Sequence, residues 1–479
     1  MDAELPADHV ARLIDAEILP SDVEDLIREY RGVGTAAHRP ELLLKGILLQ
    51  VAQGVSSPAQ WFRSFQDSLA MQWISFGCRP SRSVLYAFRD RLLPVIDRIS
   101  LRIVRQCQAD GRVAGDICVL DGSTVRSQAS RHRLVNRKKL MSRLEQLEAA
   151  IQHDDVHQPV ASIPSWMGLT PRGRKGQRAR CLTALQVLDA RLQENAKRPK
   201  DKRLDEKHVQ VSLTDPEAAI VRDKEKVLCP GYNVQFQVDR KSLLIVAYAT
   251  EAKATDADSL PPMLDLTKQV LGRYPGIQQA DAGYVSIQDL IDCHTRGVQL
   301  CGPYQENDFT ALKRVGKAQA QFGKDKFRWL ADHATYECPQ GHRLKPESRN
   351  KRSRRGGEVT LVQTRYRCPP VHCLHCPLRQ ACCQNPANGR TVKRYEGEEH
   401  VEAHRRRMEE PEAKTLNRQR GSIIERTFAD MKQHRKLRRF HGRGRDRAHI
   451  EVGLTVLVIN LLGLRRLLHP DKMPQKYRT

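Results

Sequence analysis

The order of apolar segments in the middle of this chain constrains its fold more than any other feature of the sequence. A short apolar run at 117–120 is followed, after a polar stretch, by alternating segments at 231–250 that predict a β-hairpin. A helical pattern at 256–271 leads to a strand at 277–280, and a second helix leads to a strand at 298–301. This order predicts a small mixed α/β sheet whose first and fourth strands are adjacent at its centre.

Two aspartates stand at the ends of those two central strands. Asp121 ends the apolar part of ICVLDGSTV (117–125), and Asp281 ends that of IQQADAGY (277–284), 281 − 121 = 160 positions later. Adjacent strands bring both carboxylates to one edge of the sheet, which is the ribonuclease-H-like arrangement. A third carboxylate, Glu425, lies in SIIERTFADMK, a segment with the periodicity of a helix.

Carboxylates in such positions predict a site for divalent metal. They can hold two cations about 4 Å apart, one activating a water or a 3′-hydroxyl and the other stabilising the leaving oxygen. Hard oxygen ligands are those that Mg²⁺ prefers, and Mn²⁺ accepts them as well. A single aspartate after an apolar run is more often a turn cap. The prediction therefore rests on Asp121, Asp281 and Glu425 occurring together in a strongly basic chain.

The charge balance indicates a polyanionic partner. The chain has a formal net charge of +25 and an isoelectric point near 9.7, as proteins that bind nucleic acid often do. Aromatic residues make up only 5% of the sequence, too few for base stacking to be the main mode of binding. We therefore expect arginine and lysine contacts to the phosphates of double-stranded DNA, with an affinity that falls steeply as salt rises.

Targeting and membrane segments are not predicted. The N-terminal stretch MDAELPADHVARLIDAE is acidic and lacks an apolar core, unlike a signal peptide. The longest apolar run, VGLTVLVINLLGL (452–464), is too short to cross a bilayer and predicts a buried helix. We expect a cytoplasmic protein without a membrane partner, whose 13 cysteines are reduced.

Cysteines and histidines are concentrated between residues 338 and 383. Cys373 and Cys376 form a C-x2-C pair, and Cys-Pro steps occur at 338, 368 and 376, a pattern typical of tetrahedral zinc sites. We expect a structural Zn²⁺; a reduced cysteine-rich loop without metal and an iron–sulfur site are the alternatives. The candidate ligands are Cys338, Cys368, Cys373, Cys376 and Cys382, with His342 and Cys383 competing for the same places.

These features divide the chain into four parts. Residues 1–110 have the pattern of a helical domain for DNA binding or dimerisation, and 112–310 hold the first part of the catalytic sheet. Within the latter, 131–210 is polar, basic and helical, which predicts a helical insertion. The cysteine-rich insert occupies 325–395, and 415–470 returns to helices that carry the third carboxylate.

Eight lysines and arginines lie between Lys432 and Arg447, just after Glu425. Lys432 is seven residues, or two helical turns, beyond the glutamate, so both side chains are expected on one helix face. We predict that this segment contacts the DNA backbone; the alternative is a solvated surface helix. The predicted DNA contacts are Lys432, Arg435, Lys436, Arg438 and Arg439.

Several segments resemble bacterial insertion-sequence transposases of the DDE class, in the branch with an N-terminal helical domain and a cysteine-rich insert. ADAGY (280–284) resembles the second-aspartate motif of that family, and IIERTFADMKQHRKLRRFHGRG (423–444) resembles its glutamate motif. The other matching segments are HRPELLLKGILLQVAQG (38–54), LDGSTVRSQAS (120–130), DPEAAI (215–220), GYNVQFQVD (231–239) and YRCPPVHCLHCPLRQAC (366–382). Together they extend over almost the whole chain.

The resemblance implies an enzyme that cleaves DNA and transfers strands at the inverted-repeat ends of its own element. It implies that Asp121, Asp281 and Glu425 are the catalytic ligands of Mg²⁺ or Mn²⁺. It also implies double-stranded DNA as partner, both transposon ends and target, and a homodimer in the DNA complex. Such an enzyme acts at the nucleoid in a bacterial cytoplasm.

The tyrosine–arginine–glutamate–lysine signature of that family is only partly present. Lys432 matches its lysine, which implies a contact with a phosphate of the DNA. Gly421 stands where the arginine is expected, four residues before the glutamate, and Arg418 stands where the tyrosine is expected. Arg420 is the candidate replacement for the missing arginine.

Two other functions fit the same residues. A plain nuclease of ribonuclease-H-like fold would cleave DNA without joining strands. A domesticated relative would bind DNA and zinc without catalysis. Strand joining distinguishes a transposase from the first, and metal-dependent cleavage distinguishes it from the second.

Overall fold

The structure is a computed structural model that describes residues 2–28, 38–156, 163–198, 200, 203–222, 227–304, 322–353, 360–383 and 385–468. It has the mixed α/β composition that the sequence predicts. The chain divides into two compact units. The first comprises Met1–Tyr284, Arg296–Cys301 and Thr415–Thr479, and the second comprises Val285–Thr295 and Gly302–Lys414.

The N-terminal part of the first unit is helical. Its helices are α1 (Val10–Glu17), α2 (Glu24–Arg28), α3 (Pro40–Ala52), α4 (Pro58–Asp67), α5 (Leu69–Ile74), α6 (Arg82–Asp90) and α7 (Leu93–Ala109). Helix α3 is apolar on nearly all sides and is buried accordingly. Its Ile47 shares one core with Ile103 of α7, with Leu244 beside the sheet and with Leu457 near the C-terminus. The N-terminal helices and the sheet are therefore parts of the same compact unit.

The first unit also contains a mixed sheet. The strands of this unit are β1 (Ile117–Arg126), β2 (Leu134–Val135), β3 (Val211–Ser212), β4 (Ala219–Arg222), β5 (Leu228–Asp239), β6 (Ile245–Glu251), β7 (Ile277–Gln279) and β8 (Gln299–Cys301), of which β2 and β3 form a separate pair. Strand β1 pairs antiparallel with β5 and parallel with β7, and β7 pairs parallel with β8. Strand β5 pairs antiparallel with β4 and β6. The first and fourth strands of the predicted order are thus adjacent.

Strand β1 is longer than predicted, and Asp121 lies inside it instead of at its end. The strand pairs with β5 as far as Arg126 opposite Gly231, because β5 offers backbone partners along this whole length. The prediction that the strand ends at Asp121 is wrong in this respect. The parallel pairing with β7, by contrast, stops at Val119 opposite Gln279.

The predicted helical insertion contains α8 (Arg137–Asp155) and α9 (Pro171–Ala196). The two helices pack against each other around Leu140, Leu147 and Leu188, which form a small core of their own. After β6, the chain continues into α10 (Leu260–Leu271), which ends at a left-handed glycine, Gly272. That helix leads directly to β7 and the second aspartate.

The second unit combines short helices with two small antiparallel sheets. Its elements are α11 (Ile287–Thr295), β9 (Arg328–Leu330), β10 (Thr335–Glu337), β11 (Lys345–Ser353), β12 (Thr360–Arg367), α12 (Pro370–Leu374), α13 (Arg379–Cys382), β13 (Thr391–Tyr395) and α14 (Glu398–Met408). Strand β9 pairs with β10, and β12 lies between β11 and β13. Tyr336, Tyr366 and Val392 form the core together with the side chains of Cys368 and Cys373.

Long helices complete the first unit. Helix α15 (Pro411–Ala429) belongs to this unit from Thr415 onward, and a π-helical turn at Asp430–His434 follows it. The final helix α16 (Arg445–Leu468) is buried over most of its length, as its apolar run predicts. In the described part of the chain, no helix is both long and apolar enough to cross a membrane.

Candidate active site

Asp121 and Asp281 lie at matching positions just beyond the parallel pairing of β1 and β7. The last residue pair of these strands is Val119 opposite Gln279, so each aspartate lies two residues beyond that pair. Neighbouring strands are about 4.8 Å apart, and the negative charge of Asp281 acts on Asp121. The structure therefore brings these two predicted ligands together.

Local hydrogen bonds orient both carboxylates. Asp121 Oδ1 accepts from the backbone N–H of Gly122 at 2.8 Å, and Asp281 Oδ1 accepts from that of Gly283 at 2.7 Å. One oxygen of each carboxylate is thus held by the chain itself. This contact fixes the direction in which the other oxygen points.

The surroundings of Asp121 disfavour its charged form. Burial raises the pKa of Asp121 to about 6, because the carboxylate loses hydration, and the charges of Asp281 and Asp256 add to this effect. The Gly122 N–H and the Arg420 guanidinium, whose Nη1 is 3.4 Å from Asp121 Oδ2, act in the opposite direction. Carboxylates that repel each other in this way favour a cation between them.

Helix α15 carries both Arg420 and Glu425. Arg420 contacts Asp121, so this helix lies near the end of the parallel strand pair. The Glu425 carboxylate is directed back toward Gly421, where an added Cβ would be 3.6 Å from Oε1. Among the described residues, no three His, Cys, Asp or Glu side chains are grouped so that they could hold a metal ion. In this structure Glu425 therefore does not complete a three-carboxylate group with Asp121 and Asp281.

Lys432 lies beside the strand that carries Asp121. Its Nζ donates to Ser123 Oγ at 2.5 Å and to the carbonyl oxygen of Thr124 at 3.1 Å. Ser123 is two residues beyond Asp121, so the two side chains are on the same face of β1. The positive charge of Lys432 is thus held about 7 Å further along the strand than the carboxylate.

Asp256 is another carboxylate near the pair, and the sequence did not reveal it. Its Oδ1 accepts from the side-chain amides of Asn233 at 2.7 Å and Gln235 at 2.8 Å. It also lies against Gly122, where any side chain would overlap it. Gln235 Oε1 in turn accepts from the Tyr284 hydroxyl at 2.5 Å. The resulting network joins β1, β5 and the turn after β7.

Polar residues in a buried strand were the available signal for this network. Asn233 and Gln235 alternate with apolar residues in β5, and both are buried. A buried side-chain amide needs a hydrogen-bond partner, and here that partner is Asp256. Burial and the negative charges nearby raise the pKa of Tyr284 far above its ordinary value, so its hydroxyl stays protonated and donates.

Arg435, one of the predicted DNA contacts, is inside the protein. The residue is only 8% exposed. Its guanidinium donates to the carbonyls of Val51 and Ala52 and to Asp430 Oδ1. These bonds attach the basic segment to the end of α3. Its position does not agree with the predicted contact to DNA, because the guanidinium is already occupied by protein acceptors.

The other predicted contacts of the segment lie at the surface. Arg439 is exposed, although its guanidinium donates to the carbonyls of Ser127 at 3.3 Å and Ala129 at 3.2 Å. Lys436 and Arg438 are exposed as well. These residues keep the positive surface that the sequence predicts.

Thiols gather in the second unit around Cys368. This thiol hydrogen-bonds with those of Cys373 and Cys338, and burial together with these neighbours raises its pKa far above the ordinary value. The backbone N–H groups of His342 and Arg390 donate to the sulfurs of Cys338 and Cys373, each at 3.4 Å. Three of the predicted zinc ligands therefore lie close together.

The remaining cysteines of the insert lie near this group. The Cys383 thiol hydrogen-bonds with Cys373, and burial raises the pKa of Cys382 to about 11. Cys376 is partly exposed and is not in a disulfide. Among the described residues, these thiols are not grouped in threes that could hold a metal ion.

Comparison with known proteins relates two parts of the chain to transposases. Residues 337–465, which include Glu425, match the transposase DDE domain family, and residues 1–91 match a second transposase domain family, DUF772. The structure is similar to that of a piggyBac transposase in a synaptic complex with hairpin DNA, with 8% sequence identity and a TM-score of 0.34 over 97% of this chain and 75% of that chain. No curated protein matches the sequence. The N-terminal and C-terminal parts of the chain therefore both resemble transposases, the C-terminal part those of the DDE type.

Proposed function

We propose that the protein cleaves DNA and transfers strands at the inverted-repeat ends of an insertion sequence, with Mg²⁺ or Mn²⁺ as cofactor. The observation that carries the proposal is that Asp121 and Asp281 each lie two residues beyond the last pair of the adjacent parallel strands β1 and β7. The strand order β6-β5-β1-β7-β8, with β5 antiparallel to its neighbours, supports a ribonuclease-H-like core.

The residues present fit a hard divalent cation. Asp121 and Asp281 offer carboxylate oxygens, the ligand type that Mg²⁺ prefers, and a cation would relieve their repulsion. Glu425 on α15 is proposed as the third ligand, which requires a change in its side-chain conformation. When bound, the metal would activate the attacking hydroxyl and stabilise the leaving oxygen.

Basic side chains around the pair would hold the DNA strand. Arg420 can contact a phosphate with two N–H groups, and it takes the place of the arginine missing from the family signature. Lys432, oriented by Ser123, would contact a neighbouring phosphate as a point charge. Lys436 and Arg438, exposed on the next segment, would add affinity that does not depend on base sequence.

The variant Asp281→Asn tests the proposal. It keeps the shape of the side chain but removes a ligand charge, so folding and DNA binding should persist while cleavage in Mg²⁺ falls by several orders of magnitude. The matched control is Asp265→Asn, at an exposed aspartate on α10, which should cleave like the wild type. Nicking by Asp281→Asn at the wild-type rate would refute the proposal.

Strand joining distinguishes this function from its two alternatives. A pre-cleaved transposon end with a free 3′-hydroxyl should be joined to a target duplex by the wild-type protein. A plain nuclease would cut DNA without joining it. A non-catalytic DNA-binding relative would bind both substrates and change neither.

We further propose that a homodimer holds two transposon ends at the nucleoid of a bacterial cytoplasm. The net charge of +25 supports a large DNA partner, and joining two ends at one target requires two active sites. Mass measurement of the protein on end DNA should give one complex that contains two chains and two ends. A single chain on each end at all concentrations would contradict the dimer.

We also propose a structural Zn²⁺ in the second unit. The contacts of Cys368 with Cys338 and Cys373 support it. The backbone N–H groups that donate to the sulfurs of Cys338 and Cys373 support it as well. The fourth ligand would come from Cys376 or Cys382. Zinc binding requires thiolates, so the buried thiols would lose their protons and close around the ion.

A further inference from the structure

A cavity of about 590 Å³ opens at the C-terminal end of β1, the strand that carries Asp121. Its basic lining residues are Arg126, Arg131, His132 and Arg439. The remaining lining residues are polar or apolar, and none of the described residues that line it is acidic. A cavity with several basic side chains and no acidic one has a positive potential, which suits an anion.

Backbone pairing holds the walls of this cavity in place. Besides pairing with β5, the last residue of β1, Arg126, bonds to the basic C-terminal segment. The Arg126 N–H donates to the carbonyl of Arg438 at 3.3 Å, and the Phe440 N–H donates to the carbonyl of Arg126 at 2.9 Å. The segment is therefore joined to the same strand that holds Asp121.

Side-chain bonds add to this pairing. The guanidinium of Arg439 bonds to the carbonyls of Ser127 and Ala129, and Arg443 Nε donates to the carbonyl of Gln128 at 3.2 Å. Arg439 is thus oriented before any ligand arrives, which lowers the entropic cost of binding.

A buried aspartate supports the cavity from behind. Asp215 is 1% exposed and accepts from the Ser127 hydroxyl, from the Tyr232 hydroxyl at 2.9 Å and from the Gly444 N–H at 3.2 Å. It joins Ser127, which precedes the lining residue Gln128, to Gly444 but does not itself line the cavity. These bonds connect the loop after β1 to the basic C-terminal segment.

We propose that this cavity binds phosphodiester groups of the DNA whose scissile bond lies at Asp121, a step that rests on the proposed function. Guanidinium groups recognise phosphate oxygens with paired N–H donors. Arg126 is five residues beyond Asp121 on β1, a distance of about 17 Å along the strand. Successive phosphates of one duplex strand are about 3.4 Å apart along the helix axis. The bound phosphates should therefore lie several nucleotides from the scissile one.

A phosphate-by-phosphate scan tests the inference. Single methylphosphonate groups, which are uncharged, are placed along an end duplex, and affinity is measured in EDTA so that cleavage is not required. For the wild-type protein, substitution at one or two phosphates several nucleotides from the scissile bond should weaken binding about tenfold. The variant Arg126→Ser/Arg131→Ser should bind the unmodified duplex more weakly, with a salt slope smaller by roughly one unit per lost contact, and the same methylphosphonates should then have no further effect.

The control variant is Lys175→Ser/Arg178→Ser, which removes two exposed charges from α9 and should leave the methylphosphonate pattern unchanged. Thermal unfolding shows whether each variant folds, and Arg131→Ser alone, at an exposed position, replaces the double variant if that one does not. Wild-type affinity in the cavity variants, or an unchanged methylphosphonate pattern, overturns the inference. A loss of affinity in the cavity variants that is no larger than that of the α9 control also overturns the inference. Absence of cleavage by the wild-type protein would instead count against the proposed function and leave this binding result valid.

Discussion

The carboxylate pair of the first unit and the cysteine cluster of the second are both candidate metal sites, but they are supported in different ways. Asp121 lies within a strand of 10 residues that pairs with β5 along most of its length, and the turn after Asp281 is tied to β5 through Tyr284. Cys373 lies on α12 and Cys382 on α13, helices of 5 and 4 residues. Helices this short are not stable on their own.

This difference indicates which site depends on its metal. In the first unit the sheet brings the two aspartates together, and a metal would relieve a repulsion that already exists. In the second unit a metal would supply cross-links that a small core does not provide.

Removal of metal should unfold much of the second unit and leave the first intact. Binding free energies of about 10–16 kcal/mol are typical of structural zinc in small domains at neutral pH, so its loss exceeds what a small core can offset. Elemental analysis should find about one zinc per chain. A chelator should make 322–414 sensitive to protease while the first unit remains resistant.

Cysteine variants provide the control for this prediction. Cys373→Ser should lose the zinc, whereas Cys107→Ser, in the buried core of the first unit, should retain it. If the metal-free protein keeps its protease resistance across the insert, the cluster does not depend on metal and the contrast between the two sites fails.

Asp121→Asn should stabilise the metal-free protein although it abolishes cleavage. The pKa of Asp121 is raised, chiefly by burial, from 3.8 to about 6, so the folded protein holds this proton more tightly than the unfolded chain does. Ionisation of Asp121 therefore opposes folding, and wild-type stability should fall as pH rises from about 4 to about 6. A shift of this size corresponds to roughly 3 kcal/mol.

Denaturant unfolding in EDTA, at acidic and at neutral pH, measures this effect. The Asn variant should lack this part of the pH dependence and be more stable than the wild type at neutral pH. Identical pH profiles for the two proteins would show that the ionisation of Asp121 does not oppose folding.

Asp256→Asn should reduce cleavage by roughly 10–100-fold, the usual effect of removing a group that orients a metal ligand. The amide cannot accept as strongly from Asn233 and Gln235, so the turn after β7 becomes less well fixed. The Mg²⁺ concentration needed for half-maximal cleavage should rise, while Asp265→Asn leaves it unchanged. An unaltered Mg²⁺ requirement would mean that Asp256 has only a structural role.

The fold was largely predictable because its signals are local. Hydrophobic periodicity marks the strands and helices, and the order of elements restricts how the strands can pair. That reasoning led to the adjacent central strands and to Asp121 and Asp281. It did not give the length of β1, because the strand continues past its apolar part wherever a long partner such as β5 satisfies its backbone.

The roles of individual charged residues were less predictable because they depend on distant contacts. Arg435 looks like its basic neighbours in the sequence, yet it is buried because the carbonyls of Val51 and Ala52, nearly four hundred positions away, accept from it. Asp256 likewise acquires its place from amides on another strand. Such long-range pairs produce no periodicity or spacing in the sequence from which they could be predicted.

Binding of Mn²⁺ followed by electron paramagnetic resonance tests the central claim most directly, because it reports the metal at the carboxylates without requiring cleavage. The wild-type protein with end DNA should bind Mn²⁺ tightly, and Mg²⁺ should compete for the site. Asp121→Asn/Asp281→Asn should lose this binding while its DNA affinity and thermal unfolding show that it is folded. Unchanged Mn²⁺ affinity in the double variant would contradict the assignment of these two aspartates as the metal-binding pair.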